Sequence, residues 1–212
     1  ADRMLDMGFI NDTRLIMKGL PSPRQVLFFS ATLPYEEEKI IKEFLKNPIR
    51  VSIKTRDTSK NVEQNIIRIE QGQTKIEVLD ALLIKEEFSK VLIFGRTKHG
   101  VERLSKILIQ KGFRAESIHG NKNNSQRQRA LSMFKENRVQ ILVATDVAAR
   151  GLDIQDVTQV IHYELPTNPN SYVHRTGRTG RAEKEGATYL ILSQSEEREY
   201  LRMVRQLRIE TK

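Results

Sequence analysis

The sequence predicts an α/β fold, a parallel sheet with helices on both faces, and three observations carry that prediction. From position 62 onward, short apolar runs alternate with amphipathic stretches. The connections between them are short, which suits crossovers packed back onto a common sheet. Polar clusters follow the apolar runs directly, as they do where strands end at a ligand crevice. Ahead of this region, Lys54 to Lys60 holds no apolar residue, and a linker over 54–61 is placed there.

In order, Val26, Leu27, Phe28 and Phe29 within Gln25–Ser30 read as a buried strand. Pro34 suits the front of a helix over Tyr35–Leu45, whose apolar stripe is Ile40, Ile41, Phe44 and Leu45. The alternation Ile49, Val51, Ile53 reads as another strand. Past the linker come a strand at Ile66–Ile69, a helix at Thr74–Glu86, a strand at Val91–Phe94 and a helix at His99–Lys111. Next are a strand near Ala115–Ile118, a helix at Ser125–Glu136 and a strongly apolar strand at Gln140–Ala144. Val157–Tyr163 and Ala187–Leu192 read as strands with a helix over Asn170–Thr176 between them. Ser193 and Glu196 have capping-box spacing and open a last helix through Leu201, Val204 and Leu207.

Composition narrows the function classes. Of 212 residues, 38% are apolar and 30% charged, enough for a core and a solvated surface. There is no cysteine and there are four scattered histidines, which excludes disulfides and thiolate metal sites. No apolar run approaches the roughly 18 residues of a spanning helix, so no membrane partner and a cytoplasmic address are expected, with the nucleus as the eukaryotic variant. The formal net charge of +9 suits a surface that neutralises phosphates.

The strand ends hold the chemistry. Ser30-Ala31-Thr32, Gly95-Arg96-Thr97-Lys98, Thr145-Asp146 and the loop Arg150-Gly151-Leu152-Asp153 offer hydroxyls, cations and carboxylates. Short hydroxyls beside Arg and Lys suit phosphate oxygens, and a carboxylate suits ribose hydroxyls. Asp146 reads equally as a helix N-cap. Within His174-Arg175-Thr176-Gly177-Arg178-Thr179-Gly180-Arg181, three arginines recur at spacing three with glycines between them. Arginine binds two phosphate oxygens at once and keeps its charge.

Taken together, these stretches resemble the DEAD-box family of superfamily 2 RNA helicases, over nearly the whole chain. Ala1-Asp2 and the following Arg3-Met4-Leu5-Asp6-Met7-Gly8-Phe9 look like the end of the DEAD tetrad and its continuation. Ser30-Ala31-Thr32 is similar to the SAT triplet, Phe94 with Thr97-Lys98 to motif IV, and Gln126 with Arg129 to the Q-x-x-R element. Ala144 to Asp153 resembles motif V and His174 to Arg181 motif VI. Three departures stand out: Asn121 where a second glycine is common, with Asn suited to positive φ; Glu164 in place of the usual Asp; and Thr176 in place of an aliphatic residue, which puts that helix's burial in question.

The resemblance implies a RecA-like fold at 62–212, with residues 1–53 as the C-terminal remnant of a first RecA-like domain. It implies Arg178 and Arg181 as arginine fingers at ATP, with Asp153 on the ribose and Gly151 beside it. It implies Thr145, Gln126, Arg129, Gly120, Thr97 and Lys98 along an RNA backbone, read without regard to sequence. Asp2, Ser30, Thr32, His174 and Arg175 would couple nucleotide state to closure, and Arg150 reads equally as a structural clasp. No G-x-x-x-x-G-K-[ST] loop occurs in these residues. ATP and Mg²⁺ are therefore expected to depend on a missing N-terminal RecA-like domain, and the isolated chain is expected not to hydrolyse ATP. The remnant is expected to be poorly ordered or to enter a non-native contact, such as a dimer. A regulatory RNA-binding module without catalysis and a DNA translocase half of the same superfamily are the competing readings.

Overall fold

Val91 to Gly95 and Ile141 to Thr145 are buried at every position, the pattern of strands covered on both faces. The computed structural model describes residues 8–30, 35–51, 62–149, 152, 154, 157–180 and 185–207. The chain divides into two compact units, Ala1–Lys54 and Thr55–Lys212.

In the second unit the described strands are β1 (Val62–Arg68), β2 (Val91–Gly95), β3 (Ala115–Ile118), β4 (Ile141–Thr145), β5 (Gln159–His162) and β6 (Gly186–Leu192). They form one sheet in the order β1-β6-β5-β2-β4-β3, and every pairing is parallel. The predicted parallel α/β architecture is therefore the observed one. β1 begins four residues earlier than the apolar pattern suggests, because its ladder with β6 holds polar Glu63, Gln64 and Asn65 in register.

Alternation along the central strands assigns the two faces. Ile93, Val143, Ile161 and Ile191 pack with Leu79 and Leu83 of a helix at Lys75–Leu83 and with Val101, Leu104 and Leu108 of one at Lys98–Gln110. Their neighbours Leu92, Phe94, Leu142 and Val160 face the other way, onto Ala130, Leu131 and Phe134 of a helix at Asn124–Lys135. Leu190 and Leu192 meet Tyr172 of a helix at Pro169–Thr176 and Tyr200 and Met203 of one at Glu197–Leu207.

Numbered from the first unit, the helices are α1 (Ile10–Gly19), α2 (Tyr35–Phe44), α3 (Lys75–Leu83), α4 (Lys98–Gln110), α5 (Asn124–Lys135), α6 (Asp146–Ala149), α7 (Pro169–Thr176) and α8 (Glu197–Leu207). In the second unit, α3, α4, α5 and α7 have chemically marked starts. Thr74 with Glu77 and Asn123 with Gln126 form capping boxes, Thr97 accepts from the Gly100 N–H, and Asn168 with Pro169 opens α7. The Ser193 and Glu196 box is present too, although it opens a short 3₁₀ turn that leads into α8. Among the described residues no helix is long and apolar enough to cross a membrane.

The first unit differs from the sequence expectation. Its helices α1 and α2 are joined by a bidentate pair, Arg14 to Glu43, at 2.8 and 2.9 Å. Helix α1 has no counterpart in the apolar pattern, since it buries no residue. The expected strands at Gln25–Ser30 and at the described positions 49–51 do not form. A strand is defined by its ladder, and no described neighbour in this unit supplies one. Leu27, Phe29, Ile49 and Val51 consequently face outward, Phe29 at 77% and Ile49 at 92% exposure, while Val26 and Phe28 are half-buried.

One close approach in the second unit leaves no room for a side chain. A Cβ on Gly186 would lie 2.1 Å from Thr179 Oγ1 and 2.6 Å from the Gly180 nitrogen. Gly186→Ala is therefore expected to destabilise the domain by about 1–3 kcal/mol through overpacking, read as a lower urea midpoint with an unchanged slope.

Candidate functional site

Strands β2 and β5 are neighbours, yet the chain leaves β2 toward β3 on one side and β5 toward β6 on the other. Such a reversal opens a crevice at the carboxyl ends of the two strands. The residues following β2, β4 and β5 converge there.

Arg175 is the centre of that convergence. It projects from α7, is 1% exposed, and its Nε and Nη2 donate to the two Asp146 carboxylate oxygens at 2.7 and 2.8 Å. Its Nη1 donates to the Glu164 carbonyl at 2.7 Å, and the guanidinium lies 5.1 Å from the Phe94 ring centroid. The planar fork thus joins the segment after β4, the segment after β5 and the α7 helix in one charge-assisted cluster. Asp146, equally readable as an N-cap, has both oxygens engaged by Arg175 instead. Glu164 serves with its side chain as well, since its carboxylate accepts the Arg96 backbone N–H after β2.

The residues of the arginine run sort by environment. His174 and Arg178 are half-buried and line one small pocket with Phe94, Asp146, Ala149 and Arg175. Arg178 Nη1 donates to the Leu152 carbonyl at 3.1 Å, which sets the guanidinium beside the segment that continues from β4. Thr179, which sequence reasoning did not single out, is 1% exposed and donates its hydroxyl to the Val157 carbonyl at 2.7 Å. Gly180 has φ +66°, the left-handed region that glycine takes without strain. Thr176 is buried, which answers the question its polarity raised. Arg150, Gly151, Asp153 and Arg181 lie outside the described residues, as do Asp2 and Thr32. Ser30 belongs to the first unit and is half-buried. Of the four nucleotide candidates, Arg178 alone is described, and a half-buried guanidinium at the carboxyl edge of a parallel sheet fits a phosphate group.

The remaining candidates lie along the β2, β4 and β3 side of the sheet. Thr145 ends β4 and is 8% exposed. Thr97 caps α4 and Lys98 begins it. Gly120 is exposed, its φ is not positive, and a Cβ there would meet nothing within 4 Å. The fold itself therefore does not demand glycine at that position. Asn121 is not at positive φ either; the non-glycine residues that are, among those described, are Asn47 and Asn137. Gln126 and Arg129 are exposed on α5, and the Gln126 carbonyl oxygen accepts the Asn123 N–H at 3.0 Å as half of the capping box.

The turn at Gly120 is held from beneath by a residue the motifs do not include. Glu102 of α4 accepts from Ser117 Oγ at 2.6 Å and pairs with His119 Nε2 at 3.1 Å. His119 Nδ1 accepts the Asn121 N–H at 3.3 Å, which assigns the ring proton to Nε2. Hydrogen bonds from Ser117, then His119, hold the Glu102 carboxyl down at about 2, with Lys122 and Lys106 adding to the effect. His162 at the end of β5 is the opposite case: burial first, then the Arg175 charge, hold it well below the ordinary histidine value. It is neutral and stacked on Tyr172 at 4.8 Å.

Two outcomes are expected. Asp146→Ala leaves a buried guanidinium without its carboxylate and costs about 3–5 kcal/mol, whereas the joint Asp146→Ala, Arg175→Met change costs less; urea unfolding of the three variants measures both. The Glu102 contribution is present above the ordinary carboxylate range and is lost as pH falls toward about 2. Glu102→Gln should accordingly flatten the acid limb of the stability profile while leaving its neutral limb parallel to wild type.

Comparisons with known proteins agree with this geometry. The model described as helicase conserved C-terminal domain matches residues 74–183, and that described as DEAD/DEAH box helicase matches residues 1–41. An ATP-dependent RNA helicase CshA of Listeria monocytogenes is 45% identical over 205 residues, 96% of this chain and 39% of that protein. The chain thus spans about two fifths of the length of such relatives. The crystal structure of a DEAD box protein from Methanococcus jannaschii superposes with a TM-score of 0.69 at 35% identity, covering 99% of this chain and 56% of that one. The E. coli DEAD-box protein SrmB, solved bound to the regulator RraA, gives 0.66 at 31% identity over 71% of this chain and 87% of that one. With its parallel RecA-like sheet, Arg175 and Arg178 at its carboxyl edge and a C-terminal helicase domain match over more than half its length, this chain belongs to the DEAD-box helicase family.

Proposed function

We propose that the chain supplies the C-terminal half of an ATP-driven motor that opens short RNA duplexes. The observation that carries this reading is the Arg175 cluster, which ties the segments after β4 and β5 to α7 and so sets Arg178 and Thr145 on one sheet edge. Arg178 and Arg181 act as fingers that steady the charge of a transferring phosphoryl group, and Asp153 with Gly151 receives the ribose. Thr145, Gln126, Arg129, Gly120, Thr97 and Lys98 hold an RNA backbone, so binding is salt-sensitive and indifferent to sequence.

Arg175, with its donors engaged inside the domain, couples indirectly, by fixing where its neighbours sit. Asp2, Ser30, Thr32 and His174 are the remaining coupling residues. ATP with Mg²⁺ supplies the phosphoryl chemistry when held by a phosphate loop from a first RecA-like domain. The outward-facing Leu15, Phe29 and Ile49 of the first unit support its packing against further chain of that domain.

The test joins the chain to a phosphate-loop domain and measures RNA-stimulated ATP turnover. Arg178→Ala or Arg181→Ala should lower kcat by about 10³-fold or more, and undiminished turnover in both variants removes the finger assignment. The 212-residue chain by itself should release no phosphate above background.

A further inference from the structure

Helix α8 carries a charge pattern that the motor reading does not use. Tyr200 and Met203 are buried and Val204 and Leu207 half-buried, so one face of α8 belongs to the core. Arg198, Arg202 and Arg205 are all exposed, at spacings of four and three, which places them on a single stripe opposite that core face. At 1.5 Å rise per residue the stripe presents three guanidinium groups over roughly 10 Å.

Of the two acidic residues in the first turn, Glu199 is exposed and among the described residues makes no ion pair with the stripe, and Glu197 is turned away from it. Glu197 pairs with Arg68 at 3.0 Å and Glu196 with Lys75 at 2.6 Å, so two carboxylates are drawn toward β1 and α3. Among the described residues no carboxylate engages any of the three arginines. The stripe also stands apart from the candidate residues of the motifs. Helix α8 packs on Leu190 and Leu192 of β6 and Ile66 of β1, at one end of the strand order, whereas Thr145, Gly120 and Gln126 belong to the β4 and β3 end. With strands about 4.8 Å apart, three or four strand spacings, roughly 15–20 Å, separate the two regions across the sheet.

We propose that the outer face of α8 is a second RNA-binding surface, taking the phosphate backbone of RNA that extends beyond the nucleotides held at the motif residues. Its ligand rests on the RNA reading of the preceding subsection. Three cations at this spacing match successive phosphates, and arginine keeps its charge and binds oxygens in pairs. No base contact is involved, so the surface adds affinity for length and structure rather than for sequence.

The experiment uses the 212-residue chain, fluorescence anisotropy and two RNA probes: an eight-nucleotide single strand, and the same strand extended by a hairpin. Arg198→Gln, Arg202→Gln and Arg205→Gln combined should weaken binding of the hairpin probe by about 10-fold or more and reduce its salt slope by about 2. The short strand should bind the triple variant as it binds wild type. Gln126→Ala with Arg129→Ala should weaken both probes.

Unchanged affinity and slope for the hairpin probe in the triple variant overturn the α8 surface while leaving the motif reading intact. A wild-type chain that binds neither probe overturns both. Saturable binding of polyglutamate that the triple variant loses, with RNA binding unaffected, overturns the proposal in favour of an acidic protein partner.

Discussion

The second unit depends on one buried charge. A guanidinium at 1% exposure is costly to keep out of water unless each of its nitrogens finds an acceptor. Arg175 meets that condition with two carboxylate oxygens, one carbonyl and an aromatic face. Because those partners come from three segments of the chain, satisfying the charge also fixes the relative positions of those segments. A neutral His162 beside it is part of the same balance, since a second buried cation would have no acceptor of its own.

The edge of the sheet is accordingly rigid in some places and open in others. Thr179, Gly180 and Gly186 pack with no spare volume, which fixes the backbone just after Arg178. Gly120, by contrast, faces open space on a turn braced from below by Glu102 and His119. Under the proposed reading, the rigid part sits where Arg178 is aimed at a phosphate and the open part where a polymer backbone is admitted.

Much of this was legible in the sequence because period and punctuation agree. Strands such as Ile141–Thr145, apolar at nearly every position, and the Thr74, Asn123 and Ser193 box spacings need no tertiary information. What escaped depends on contacts between distant residues. Glu102 looks like any exposed helical glutamate until β3 brings Ser117 and His119 beside it. Asp146 carries the same local signal as a helix cap, and its pairing with Arg175, 29 positions away, is a property of the fold. Phe29 and Ile49 failed in the other direction: their pattern is that of strands, and strands need a neighbour to exist.

The capping box at the start of α5 has a consequence for what Gln126 can distinguish. A glutamine identifies a base by offering a donor and an acceptor together, matched against a complementary pair on one edge. Here one lone pair of the side-chain oxygen is committed to the Asn123 N–H and fixes where that oxygen points, which leaves the amide nitrogen as the more accessible group. With its oxygen held in the cap, the side chain is poorly placed to present donor and acceptor together to one base edge, while its amide N–H groups can be given to an oxygen of any ligand. Helix capping, a device of local stability, thereby narrows what this position can offer before any ligand arrives.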